Sequence, residues 1–203
     1  MRPCIPTRRP LRGFTLFELM VTLAVAGVLA AVAIPNMRDF IRNNRLTAAS
    51  NDLIRSTQIA RSEAIKRQRP VVVCATADPA AAQPTCSYGN FRGWVVFEDA
   101  NNNWQHDDDE AVIERHDLVH ESVTVLNDED GVVSYAPTGF ANPPTGALSP
   151  SRNVVICDER GHVQNGANST ARAVFISETG RSRASKLADD VEDAISAAGA
   201  CPS

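Results

Sequence analysis

Residues 14 to 34 read FTLFELMVTLAVAGVLAAVAI, with Gly13 immediately before them and Pro35 immediately after. These 21 residues carry one charge, Glu18. As a helix they would be roughly 31 Å long, enough to cross the hydrocarbon core of a bilayer. Arg2, Arg8, Arg9 and Arg12 precede the run without a single acid. That charge keeps the leader cytoplasmic and places the following chain on the far side of the membrane. A secretory signal carries its small residues after a shorter apolar core. Here the small residue comes first, so a cut after Gly13 leaves the apolar helix attached to the mature chain. The expected organisation is a leader over 1–13, a transmembrane helix over 14–34, an amphipathic continuation over 35–69, and a β-rich globular domain with a C-terminal tail over 70–203.

The leader carries +4 of a net charge of −4, which leaves −8 for the remainder. A body of that sign does not hold nucleic acid or anionic lipid by bulk charge, so any such binding needs a local basic patch. Cys4 lies in the leader, while Cys74, Cys86, Cys157 and Cys201 fall in the polar part, none of them in a CxxC pair. That argues against zinc and against thioredoxin-like redox chemistry. Four cysteines in an exported domain allow three pairings. Linking neighbouring segments favours Cys74–Cys86 and Cys157–Cys201, the second fastening the tail; buried free thiols are the alternative.

Beyond Pro35 the helical pattern continues. Leu46, Ala49, Leu53, Ala60 and Ala64 recur at spacings that share one helical face. Pro70 ends the run, because the residue before a proline is pushed out of helical geometry. The reading is one long bent helix from 14 to about 68, its second half packed on a domain. From Val71 the chain changes to β-branched runs between turn residues: Val71–Ala75, Gly93–Phe97, Ala111–Arg115, Ser122–Leu126, Val132–Tyr135, Asn153–Cys157 and Arg172–Ser177. These predict antiparallel hairpins, with surface loops at Asp78–Pro84 and Ala141–Ser151. A helix on such sheets is an α+β domain.

The run from Gly13 to Leu19, GFTLFEL, resembles the prepilin cleavage site of type IV pilins and type II secretion pseudopilins. The resemblance implies a type IV pilin-like fold. It also implies that a prepilin peptidase cuts between Gly13 and Phe14 and methylates the new Phe14 amine. Glu18, a lone carboxylate in hydrocarbon, needs a partner; in the family this is the N-terminal amine of the neighbouring subunit, which makes Glu18 an assembly residue. Pro35 stands where the family commonly bends its helix. The later motifs resemble the GspH/FimT group of minor pilins and pseudopilins: Gly93-Trp-Val-Val-Phe97 with the Asp/Asn-rich loop after it, Tyr135-Ala-Pro-Thr-Gly139, Asn153–Asp158 and Ala171–Ser177.

Gly180-Arg181-Ser182-Arg183, directly after the last expected strand, resembles the Gly-Arg-x-Arg motif of FimT proteins, minor pilins linked to DNA uptake in natural transformation. Between Ala171 and Leu187 the charges are Arg172, Arg181, Arg183, Lys186 and Glu178, a net +3. Two arginines two apart after a glycine turn can face the same way and meet adjacent phosphates of double-stranded DNA. The alternatives are a solvated strand end, or ion pairs with the Asp189–Asp193 acids. Asp99–Glu110 (DANNNWQHDDDE) partly matches calcium-loop spacing, but Trp104 stands where the sharp turn needs glycine, so the loop reads as a solvated hairpin tip. His116 and His120 are four apart at a strand boundary, where their rings would not align on zinc. With no HExxH, GxSxG or phosphate-binding loop, no catalytic, metal or cofactor site is expected.

Two functions follow, both non-catalytic. One is a FimT-like minor type IV pilin that binds incoming DNA. The alternative is a GspH-like minor pseudopilin of type II secretion. Both resemblances imply the prepilin peptidase, other major and minor pilins or pseudopilins, and the inner membrane as partners. An enzyme-class rival, a membrane-anchored periplasmic metalloprotein using the Asp99–Glu110 loop, stands behind them.

Overall fold

The computed structural model describes residues 13–86, 90–91, 93–117, 119–127, 132–142, 152–199 and 201. The leader before Gly13, with Cys4, and all but the first two residues of the expected 141–151 loop lie outside the described residues. The chain divides into two compact units, Met1–Ile41 and Arg42–Ser203.

Helix α1 (Leu16–Arg67) begins in the first unit. Thr15 sits just before it, and its Oγ1 accepts the Glu18 backbone N–H at 3.2 Å. This satisfies one of the donors a helix start leaves unpaired. Every described side chain from Gly13 to Ile41 is exposed. The most apolar 18-residue window of α1 has a mean hydropathy of 2.3 and none of it is buried, so the helix is long and apolar enough to cross a membrane.

In the second unit the five positions that share a helical face are all buried, Leu46, Ala60 and Ala64 fully. They pack into a core with β1 (Val71–Thr76), β3 (Gly93–Glu98), β5 (Val123–Asn127), β6 (Val132–Tyr135), β7 (Arg152–Asp158) and β9 (Asn168–Ile176). Two antiparallel sheets meet this helix. With β2 (Asn90–Phe91), β4 (Val112–His116), β8 (Gln164–Asn165) and β10 (Ser182–Leu187), the strand orders are β4-β3-β1-β6 and β10-β9-β7-β5-β2, β8 pairing with β9.

Each sheet is also buried on its other face, and that is why β1 reads as a continuous apolar run with every residue buried. Behind the first sheet, Val72, Cys74, Val95, Phe97 and Val132 pack with Val112 of β4 and are covered by Cys86 and Trp104. Behind the second, Leu126, Val155, Cys157, Ala171 and Ala173 are covered by α2 (Ala188–Ala198) and Cys201. A disulfide staples each cover: Cys74–Cys86, with Cα atoms 5.4 Å apart, and Cys157–Cys201, 6.2 Å apart. This is the pairing favoured by joining neighbouring segments.

The C-terminal part departs from the sequence expectation in two ways. The chain after Gly180 forms another strand, β10, so the arginine motif opens a strand rather than following the last one. The expected tail contains helix α2, whose Val191 and Ala194 are buried. Val191, Ala194, Ile195 and Ala198 keep helical spacing, Asp189 and Asp190 occupy the first turn, and Gly199 closes the end with φ 97°. Those are ordinary start and stop signals.

Candidate functional site

The Gly-Arg-x-Arg turn is built into the domain. Ser177 N–H donates to Arg181 O at 2.9 Å and Gly180 N–H to Ser177 O at 2.8 Å, closing a hairpin between β9 and β10. Its glycine is required twice over. Gly180 has φ +73°, and a Cβ there would lie 2.2 Å from Gly139 O. Only a residue without a side chain fits a left-handed turn pressed on backbone. Thus the two signatures, Tyr135–Gly139 and Gly180–Arg183, touch each other. Helix α1 locks both: Arg61 Nε donates to Gly139 O at 2.9 Å, and Thr57 Oγ1 lies 3.0 Å from Ser182 Oγ. Tyr135 is buried beside Thr57 and Arg61, and burial pushes its hydroxyl up to about 12.

From this anchored turn Arg181 is exposed, and Arg183 follows two residues on. Arg183 lies on β10 and Arg181 one residue before that strand, and both line one hollow with Phe175. The guanidinium of Arg183 sits 4.3 Å from the centre of the Phe175 ring, and its Nη1 donates to Asp190 Oδ2 at 3.0 Å. Hydrogen bonds from Ser185 and Arg183 hold the Asp190 carboxyl below its ordinary range. The acids at 189–193 therefore reach the motif through Asp190, one of the alternatives weighed for it.

Arg172 and Lys186 do not join this pair. They line a separate hollow with Thr47, Ser50 and Asn51 of α1. Arg172 belongs to the sheet face of Val174 and Ile176, which packs on the helix. Its Nη1 donates to Thr170 O at 3.2 Å and to Ala171 O at 3.0 Å. Burial lowers the pKa of its guanidinium from the ordinary value. The four basic residues read together from sequence are split by the sheet.

The acidic loop spends its oxygens on itself. Asp99 is fully buried and accepts the backbone N–H groups of Asn103 at 3.0 Å and Trp104 at 3.1 Å. Burial raises its pKa despite those bonds. Glu110 accepts from Ala100 N at 2.7 Å and Asp107 N at 3.1 Å. Trp104 takes φ +59° where glycine would be expected, and its ring packs on the back of the first sheet. His116 stacks on Trp94 at 3.9 Å, while His120 pairs with Ser122 at 2.9 Å. Among the described residues no three His, Cys, Asp or Glu side chains form a metal cluster.

Comparison with known proteins places these features. The prokaryotic N-terminal methylation motif matches residues 8–34, and the family of the type II transport protein GspH matches residues 49–180. A fimbrial protein of Pseudomonas aeruginosa is 37% identical over 65 residues, 32% of this chain and 42% of that one. The type IV major alpha-pilin of Moraxella bovis is 45% identical over 42 residues, 21% of this chain and 26% of that one. The chain spans less than half the length of these curated relatives. The crystal structure of the type IV minor pilin FimU of Pseudomonas aeruginosa resembles this one with a TM-score of 0.51 at 22% identity, over 72% of this chain and 92% of that one. The likeness to FimU is one of fold. Since the GspH match covers well over half of the chain, this protein belongs to the GspH family of type IV pilin-like minor pilins and pseudopilins, whose members are filament subunits and not enzymes.

Proposed function

We propose that the chain is a FimT-like minor pilin of a type IV pilus and that it binds double-stranded DNA for uptake, through Arg181 and Arg183. One observation carries this reading: the two arginines line one hollow beside a turn that Gly139, Arg61 and Thr57 hold in place. A cation pair fixed before binding loses little ordering entropy when it meets phosphates. Residues 1–13 are the leader removed by a prepilin peptidase, 14–34 the membrane helix, 35–69 its continuation, and 70–203 the periplasmic domain. Phe14 becomes the methylated N-terminus, and Glu18 faces the amine of a neighbouring subunit. Arg172 and Lys186, on the helix side, add long-range attraction rather than contacts.

The test uses the mature protein, beginning at Phe14, in nanodiscs of zwitterionic lipid and fluorescence anisotropy with a labelled duplex. Wild type is expected to bind at micromolar affinity or weaker, and Arg181→Gln and Arg183→Gln each to weaken it severalfold. Variants that bind as wild type does would remove the DNA reading. The second reading, a GspH-like pseudopilin of type II secretion, is favoured by the family match over residues 49–180. Isolation of the protein with type II pseudopilins instead of pilins would select it.

A further inference from the structure

The proposed DNA-binding surface has a feature that phosphate contacts alone do not need. Asn153, Phe175 and Arg183 stand side by side across three strands, paired Asn153 with Phe175 and Phe175 with Arg183. Arg181, one residue before β10, lines the same hollow. Together with Ile176, Ser177 and Ser182 they line a hollow of ≈ 500 Å³. Arg183 has one face of its guanidinium on the Phe175 ring, yet its side chain keeps 59% of its exposure. The outer face of that flat cation is open. Stacked guanidinium planes and aromatic rings on a sheet are surfaces on which unpaired bases stack. Bases inside a duplex are already stacked and cannot enter such a hollow.

We infer that this hollow is a subsite for one unpaired nucleotide, at a strand end or in single-stranded DNA. Its base stacks on Arg183, which Phe175 backs and Asp190 orients, and its phosphate meets Arg181. The inference rests on the DNA reading above and deepens it by naming the form of DNA preferred. A flat cation backed by an aromatic ring beside a second cation suits a nucleotide, which offers a base and a phosphate, rather than an acidic peptide, which offers carboxylates alone.

The decisive comparison uses the mature protein, beginning at Phe14, in zwitterionic nanodiscs at one salt concentration. The probes are a short mixed-sequence single strand, the same sequence as a closed dumbbell duplex without ends, and an oligoglutamate peptide. The single strand should bind about fivefold or more tightly than the closed duplex, the low end of what one stacked base contributes. Arg183→Lys keeps the charge and removes the plane, so the ratio of single-strand to duplex affinity should fall to about one. Phe175→Leu, which keeps apolar packing, should act in the same direction. Equal affinity for strand and duplex, or a preference that survives Arg183→Lys, overturns the subsite and leaves the duplex reading standing. Oligoglutamate binding as tightly as the single strand overturns it in favour of a protein partner. Absence of binding to every DNA probe overturns the subsite together with the DNA reading.

Discussion

Single residues decide whether the arginine turn is a structure or a loose end. Gly180 combines a positive φ with backbone contact at Gly139, so Gly180→Ala should cost about 2 kcal/mol or more and lower the thermal midpoint. Unchanged melting would mean that the turn is not pressed against Tyr135–Gly139 as described. Asp158 offers a second test. Burial raises its pKa, but hydrogen bonds from Arg160 outweigh this and hold it below the ordinary carboxylate range. A depressed pKa contributes stability that is present above the unfolded value, about 3.9, and lost as pH falls through the folded one. Wild type should therefore lose stability as pH falls below about 4, and Asp158→Asn should be less stable at neutral pH and lose less on acidification. Denaturant titrations at stepped pH measure both. Parallel acid profiles for the two proteins would contradict the role given to Asp158.

At the scale of elements, each sheet's outer cover is held by its own disulfide. The bridges close loops with sequence separations of 12 and 44, worth about 3 and 4 kcal/mol respectively if chain entropy dominates. Replacing Cys157 and Cys201 by serine should cost about 2–5 kcal/mol. It should also speed amide exchange at Val191–Ala198 while Val71–Ala75 stays protected. Unchanged exchange in α2 would show that packing of Val191 and Ala194 holds the helix without the staple. The elements differ in how legible they were. The domain half of helix α1 was readable because its buried face repeats with helical period, and seven strands because they are β-branched runs bounded by turn residues. Strand β10 was not: Ser182–Leu187 is a largely exposed edge with no apolar alternation, and its place depends on pairing with β9. Helix α2 carried a readable signal in Val191, Ala194, Ile195 and Ala198, masked by the many acids around it. The division of Arg172 and Lys186 from Arg181 and Arg183 was also hidden, because it depends on which sheet face meets α1.

For the whole molecule, an exposed apolar helix followed by a domain with its own core is the layout of a subunit that assembles through its N-terminus. Mass spectrometry of membrane-extracted protein should find a mature chain beginning with N-methylated Phe14; retention of Arg12, or a cut beyond Ala33, would contradict the assigned processing. Glu18→Val should leave that cleavage largely intact and weaken recovery of the protein in filaments. The domain's net negative charge bears on the DNA reading too, since it confines productive contact to the turn. Counting the four basic residues between Ala171 and Leu187 would allow up to four phosphate contacts, whereas Arg172 and Lys186 line a separate hollow and leave two arginines together. The most direct measurement is therefore the salt dependence of duplex affinity. The account predicts a log–log slope near −2, from about −0.9 per phosphate, falling to about −1 in either Arg181→Gln or Arg183→Gln. A wild-type slope near zero, or one that neither substitution changes, would contradict it.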